Sequence, residues 1–124
     1  KLIVVLGHSK CGAVKGACDH VEMGNLTELL SKIQPAVYQE KTTKTDRSSK
    51  NSPFVENVSV INVKRNVKSI IERSFILEQM VESGQIGVVG AMHDIETGKV
   101  TFYPDVMYIK DDKNPKFSVA DLRH

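Results

Sequence analysis

The chain has no tryptophan and only two cysteines among 124 residues. Two thiols without paired spacing exclude a disulfide scaffold and fit a reducing compartment, which favours the cytoplasm over the periplasm. No apolar run approaches the roughly 20 residues that a membrane-spanning helix needs. Charge of one sign is also lacking, since 17 basic side chains face 15 acidic ones for a net charge of +2. That balance argues against a nucleic-acid partner, which would call for a clustered basic face. Aromatics are few, at 6%, but hydrophobic residues reach 40%, enough to exclude whole-chain disorder. There is no initiating Met, and Lys1 opens directly onto a strand pattern. The sequence therefore reads as a soluble single domain, 1–124, cut from something longer and lacking its amino-terminal portion.

What is present has the order of an α/β fold. Leu2-Ile3-Val4-Val5-Leu6 is an aliphatic, β-branched run of the kind buried on both faces of a sheet. It leads through Gly7-His8-Ser9-Lys10-Cys11-Gly12 into a helix that Gly24 can end, the opening of a βα unit. Leu26, Leu29, Leu30, Ile33 and Val37 predict a helix over 25–41 that Pro35 must kink or divide. Residues 42–53 are polar and without apolar period, a solvated loop. Apolar residues at 55, 58, 63, 67, 70 and 71 predict a long helix, and Ile76 to Val81 a short one stopped by Ser83-Gly84. Ile86 to Met92 is a second buried strand, with glycines where another element packs closely. Asp94 to Gly98 is a turn and Lys99 to Tyr103 a short strand, giving a closing hairpin and then a polar tail from Pro104.

The residues with the most chemistry are His8 and Cys11. Zinc takes imidazole nitrogen and thiolate sulfur, and a His and a Cys three apart across a strand-to-helix turn can converge on one ion. The carboxyl end of a strand is also where α/β sheets place their sites. The plainer alternative makes Cys11 a small core residue and His8 a loop residue. Cys18 lies seven residues past Cys11, about 10 Å along a helix. Ligands of one tetrahedral zinc sit only about 3.5 to 4 Å apart, so Cys18 belongs to the core and His20 fails likewise. His93 and His124 are left unassigned. A phosphate loop is a poor match, because no Lys-Ser/Thr follows Gly12 and no G-x-G-x-x-G occurs.

The run Leu6-Gly7-His8-Ser9-Lys10-Cys11-Gly12-Ala13-Val14-Lys15-Gly16-Ala17 resembles the second zinc motif of the β-class carbonic anhydrases. Residues 84–100, Gly-Gln-Ile-Gly-Val-Val-Gly-Ala-Met-His-Asp-Ile-Glu-Thr-Gly-Lys-Val, are similar to that family's closing hairpin, and 66–77 to the segment joining the two. The resemblance implies a three-layer α/β/α fold whose mainly parallel sheet ends in an antiparallel hairpin. It implies a zinc cofactor held by one His and two Cys, and reversible hydration of carbon dioxide to bicarbonate. On that reading His8 and Cys11 are metal ligands, and Gly12 turns its backbone toward bound substrate. The family's other Cys belongs to an upstream C-x-D-x-R strand whose Asp-Arg dyad orients the reacting water, and this chain holds no such sequence. No catalytic residue beyond the metal ligands is therefore expected here, and the chain alone should be impaired. Residue 93 is His where the family commonly has Tyr. A hydrolase of small carbon-sulfur substrates would use the same ligands. The alternative of another class is a non-catalytic zinc-binding or interaction module of the same fold. An uncovered sheet edge further predicts a homodimer or higher homo-oligomer.

Overall fold

Residues 1–110 are described by a computed structural model in which one strand is followed by five helices and then two strands. The end of the polar tail, 111–124, with His124, lies outside the described residues. The elements are β1 (Leu2–His8), α1 (Gly12–Cys18), α2 (Asn25–Ser31), α3 (Gln34–Gln39), α4 (Ser52–Arg73), α5 (Phe75–Glu82), β2 (Gly87–His93) and β3 (Val100–Tyr108). The strands form one sheet in the order β1-β2-β3. Gly87 N–H donates to the Lys1 carbonyl and Ser9 N–H to the His93 carbonyl, both at 2.9 Å. The two ladders' ends advance in the same direction, so β1 and β2 run parallel. β2 and β3 are joined by a short turn and close as an antiparallel hairpin. The fold is α/β, as expected.

The chain divides into two compact units, each with its own apolar core. One comprises residues 1–6, 63–92 and 100–110. Here Val67 and Ile71 of α4 and Val81 of α5 pack with Val88, Val106 and Tyr108 of the sheet. Ser74 caps α5, its hydroxyl accepting from Leu77 N–H at 3.2 Å. The expected close packing at a strand glycine is found at Gly90, where an added Cβ would lie 3.0 Å from methyls of Val63 and Val106 and 3.1 Å from one of Val67.

The other unit comprises residues 7–62 and 93–99. Val14, Ala17 and Cys18 of α1, Leu30 of α2, Ala36 and Val37 of α3, and Phe54 and Val58 of α4 form its core. The helix predicted over 25–41 is divided, with Pro35 in the first turn of α3, where its missing N–H costs no helical bond. Gln34 Nε2 donates to the Ala17 carbonyl at 2.8 Å and closes the end of α1. Residues 42–51 contain no helix or strand, and Ser52 and Pro53 begin α4.

Three expectations need correction. β1 is not buried on both faces: it is an edge strand, and Leu2, Val4 and Leu6 are 52%, 42% and 54% exposed. The aliphatic run reports the apolarity of each face and says nothing about whether both are covered. β3 does not stop at Tyr103 but continues through Pro104 to Tyr108, because an edge strand tolerates the missing donor. α1 ends at Cys18, well before Gly24, and His20 already has a left-handed φ of 55°.

Candidate functional site

His8 is the last residue of β1 and Cys11 caps the first turn of α1. Between them the chain must reverse within two residues, and it does so by placing Lys10 at φ 55°, a left-handed conformation that costs a non-glycine residue on the order of 1 kcal/mol. Such strain persists only where neighbouring contacts hold it. Here the holding contacts come from the turn after β2. Ser9 N–H donates to the His93 carbonyl at 2.9 Å, and Ile95 N–H donates to Ser9 Oγ at 3.0 Å. Lys10 Nζ and Glu96 add an exposed ion pair.

The imidazole of His8 is exposed, and its Nδ1 lies 2.9 Å from the Ser9 carbonyl. A carbonyl oxygen can only accept, so Nδ1 is the donor in this bond, and in a neutral ring with that proton the lone pair lies on Nε2. That is the tautomer in which a neutral histidine can bind a metal through Nε2. Cys11 is half-buried with a free thiol, and Gly12 is exposed, with open space where a Cβ would stand. An imidazole nitrogen and a thiol are zinc donors by type. Among the described residues, however, no group of three or more His, Cys, Asp or Glu side chains gathers as a metal would need. The donor chemistry fits zinc, and the donor number is one short of the three protein ligands a catalytic site uses.

The other candidates have surroundings of their own. Cys18 is 1% exposed, and burial, with the adjacent Asp19 charge, pushes its thiol up to about 11. The ring of His20 stands 6.4 Å from that of Tyr38. His93 contributes its backbone carbonyl, as above. A cleft of about 350 Å³ beside the loop is lined by Ser9, Lys10, Lys15, Ser52, Asp94 and Glu96 among others, but by neither His8 nor Cys11. Its lining is of mixed charge and selects no ligand.

Sequence reasoning missed a second polar cluster in this unit. Glu40 is 2% exposed and accepts from Thr42 N–H at 2.7 Å, Thr43 N–H at 3.0 Å and Asn57 Nδ2 at 3.3 Å. Arg47 Nη1 is 3.6 Å from it, and the guanidinium lies 4.6 Å above the centre of the Phe54 ring while donating to the Val37 and Thr43 carbonyls. Burial alone would raise the Glu40 carboxyl, but the hydrogen bonds from Thr43, Asn57 and Thr42 outweigh it and hold it at about 2. The cluster fastens residues 42–47 onto the helices that carry the core.

His8 at the carboxyl end of a parallel strand and Cys11 at the start of the following helix stand on the strand-to-helix turn of an α/β fold. The family profile for carbonic anhydrases matches residues 1–100, and the chain belongs to that family. Carbonic anhydrase 2 of Mycobacterium tuberculosis is 25% identical over 103 residues, 79% of this chain and 46% of that protein. Among solved structures, the β-carbonic anhydrase CafA of Aspergillus fumigatus is 25% identical, with a TM-score of 0.70 over 91% of this chain and 51% of its own. One of two tetrameric β-carbonic anhydrases from Sordaria macrospora is 28% identical, with a TM-score of 0.69 over 84% and 52%. A Coccomyxa β-carbonic anhydrase in complex with acetazolamide has a TM-score of 0.75 over 99% and 55%, and at 21% identity it speaks to the fold alone. The chain thus spans about half the length of these relatives.

Proposed function

We propose that the chain is the metal-holding carboxyl-terminal part of a zinc enzyme that reversibly hydrates carbon dioxide to bicarbonate. The observation that carries this reading is the His8 ring, whose Nδ1 lies 2.9 Å from the Ser9 carbonyl on a turn that leads to half-buried Cys11, in a chain belonging to the carbonic anhydrase family. His8 through Nε2 and Cys11 through Sγ would hold the ion. When bound, zinc acts as a Lewis acid that lowers the pKa of water toward about 7. Gly12 leaves the space before the first turn of α1 open, so that its backbone can face a small linear substrate. A third donor and the groups that orient the reacting water would come from a C-x-D-x-R strand that this sequence lacks.

Metal analysis of the zinc-treated protein tests the ligand assignment: Cys11→Ser should lose zinc and Cys18→Ser should retain it, and the reverse pattern would sink the assignment. Stopped-flow hydration assays test the rest. The 124-residue chain alone is expected to turn over carbon dioxide poorly, and a peptide carrying a C-x-D-x-R strand is expected to raise the rate. The two-donor set favours one competing reading, a zinc-binding or interaction module without catalysis, and a rate unmoved by the peptide would support it. Association of copies of this chain into a dimer or larger homo-oligomer belongs to the same proposal.

A further inference from the structure

We propose that Ser9 is a positioning residue that sets the tautomer and orientation of the His8 imidazole. The inference rests on His8 being a metal ligand and goes beyond it, because it names what aims that ligand. Three separate atoms of Ser9 are engaged. Its carbonyl accepts the His8 Nδ1 proton at 2.9 Å, its N–H donates to the His93 carbonyl at 2.9 Å, and its hydroxyl oxygen accepts from Ile95 N–H at 3.0 Å. The first bond orients the ring, and the other two fix the residue that makes it.

The anchor is itself closed. Asp94 N–H donates to the Lys99 carbonyl at 2.8 Å, Gly98 N–H to the Asp94 carbonyl at 2.7 Å, and Glu96 N–H to Asp94 Oδ1 at 2.9 Å. Gly98, at φ 78°, takes the left-handed position that this tight turn demands. On the other side, Lys10, next in the chain, takes the left-handed φ of 55° already described. With its N–H and its hydroxyl both bonded to the turn after β2, Ser9 keeps its carbonyl beside the ring. Nδ1 therefore stays the donor, and Nε2 stays available to a cation. Without the Ser9 hydroxyl the Ile95 N–H loses its acceptor, the loop gains freedom, and the imidazole can take its other tautomer, in which Nε2 carries the proton and binds no metal.

The experiment uses the full protein with Ser9→Ala, Ser9→Thr and Ser9→Val. Threonine keeps the hydroxyl, and valine has the shape of threonine without it, so the pair isolates the hydroxyl should alanine loosen the fold. Nitrogen NMR shifts of the His8 ring are read in metal-free protein, and zinc affinity by competition with a chromophoric chelator. The wild type and Ser9→Thr should show Nδ1 protonated. Ser9→Val and Ser9→Ala should shift population to the other tautomer and weaken zinc binding by about 10-fold or more, the usual effect of losing a group that orients a ligand. An unchanged tautomer in both hydroxyl-free variants overturns the proposal, as does a changed tautomer with unchanged zinc affinity. His8→Ala separates the two readings. If it binds zinc like the wild type, the ligand assignment fails, while the tautomer comparison still reports whether Ser9 controls the ring.

Discussion

Glu40 shows how one side chain can hold a segment that its own sequence leaves loose. Its carboxylate is buried and ringed by donors from Thr42, Thr43 and Asn57, with Arg47 alongside. Removing it strands several of those donors at once. Glu40→Ala is expected to cost about 3 kcal/mol in denaturant unfolding, the scale for breaking a buried charged network. The pH dependence follows from the lowered folded value. A carboxyl at about 2 when folded, against 4.5 when free, contributes stability that is fully present above about 4.5 and is lost as pH falls through about 2. Unfolding curves of Glu40→Gln should lack that part of the acid sensitivity, and an acid limb identical to wild type would show that the carboxylate is unimportant. The two thiols divide as sharply. Cys18, buried and held at about 11, should resist iodoacetamide at neutral pH, whereas half-buried Cys11 should react in chelator-treated protein. Mass spectrometry showing Cys18 labelled first in the native state would contradict the core assignment.

At the scale of elements, packing decides what periodicity leaves open. α4 was legible because most of its apolar spacing survives into a buried face, whereas α5 buries Val81 and leaves Ile76 exposed; Pro35 announced the break between α2 and α3. The strand β3 was legible only to Tyr103. Proline suggested an end, yet Val106 and Tyr108 alternate beyond it and are buried, so the edge position of the strand overrides the local signal. His8 and Cys11 stood out because their residue types carry metal chemistry. Ser9 and Glu40 did not, since their partners, Ile95 and His93 in one case and Asn57 in the other, are remote in sequence and only folding brings them near. Gly90 offers a test of this packing. Alanine there would press on Val63, Val67 and Val106 together, and Gly90→Ala is expected to destabilise by about 1 to 3 kcal/mol. Adding Val63→Ala should recover part of the loss in a double-mutant cycle; strictly additive effects would mean that the contact is relieved elsewhere.

For the molecule as a whole, the uncovered face of β1 bears most directly on behaviour in solution. Leu2, Val4 and Leu6 lie in a row at intermediate to high exposure, an apolar strip that water solvates poorly and that favours association. Sedimentation velocity should find copies of this chain associated at micromolar concentration, and Val4→Lys with Leu6→Lys should shift them toward monomer. A well-folded monomer in the unmodified chain would remove the case for this face. The sheet's two borders are unequal in a further respect. β3 carries Pro104 in its middle, and proline offers no donor to an incoming strand, whereas β1 has no proline along its length. Among the described residues, the port without proline for an added strand is therefore β1. Two molecules meeting port to port would exhaust it and form a closed, two-fold pair instead of a propagating fibre. In such an assembly Pro104 would act as a chain terminator, limiting how far a sticky sheet could polymerise.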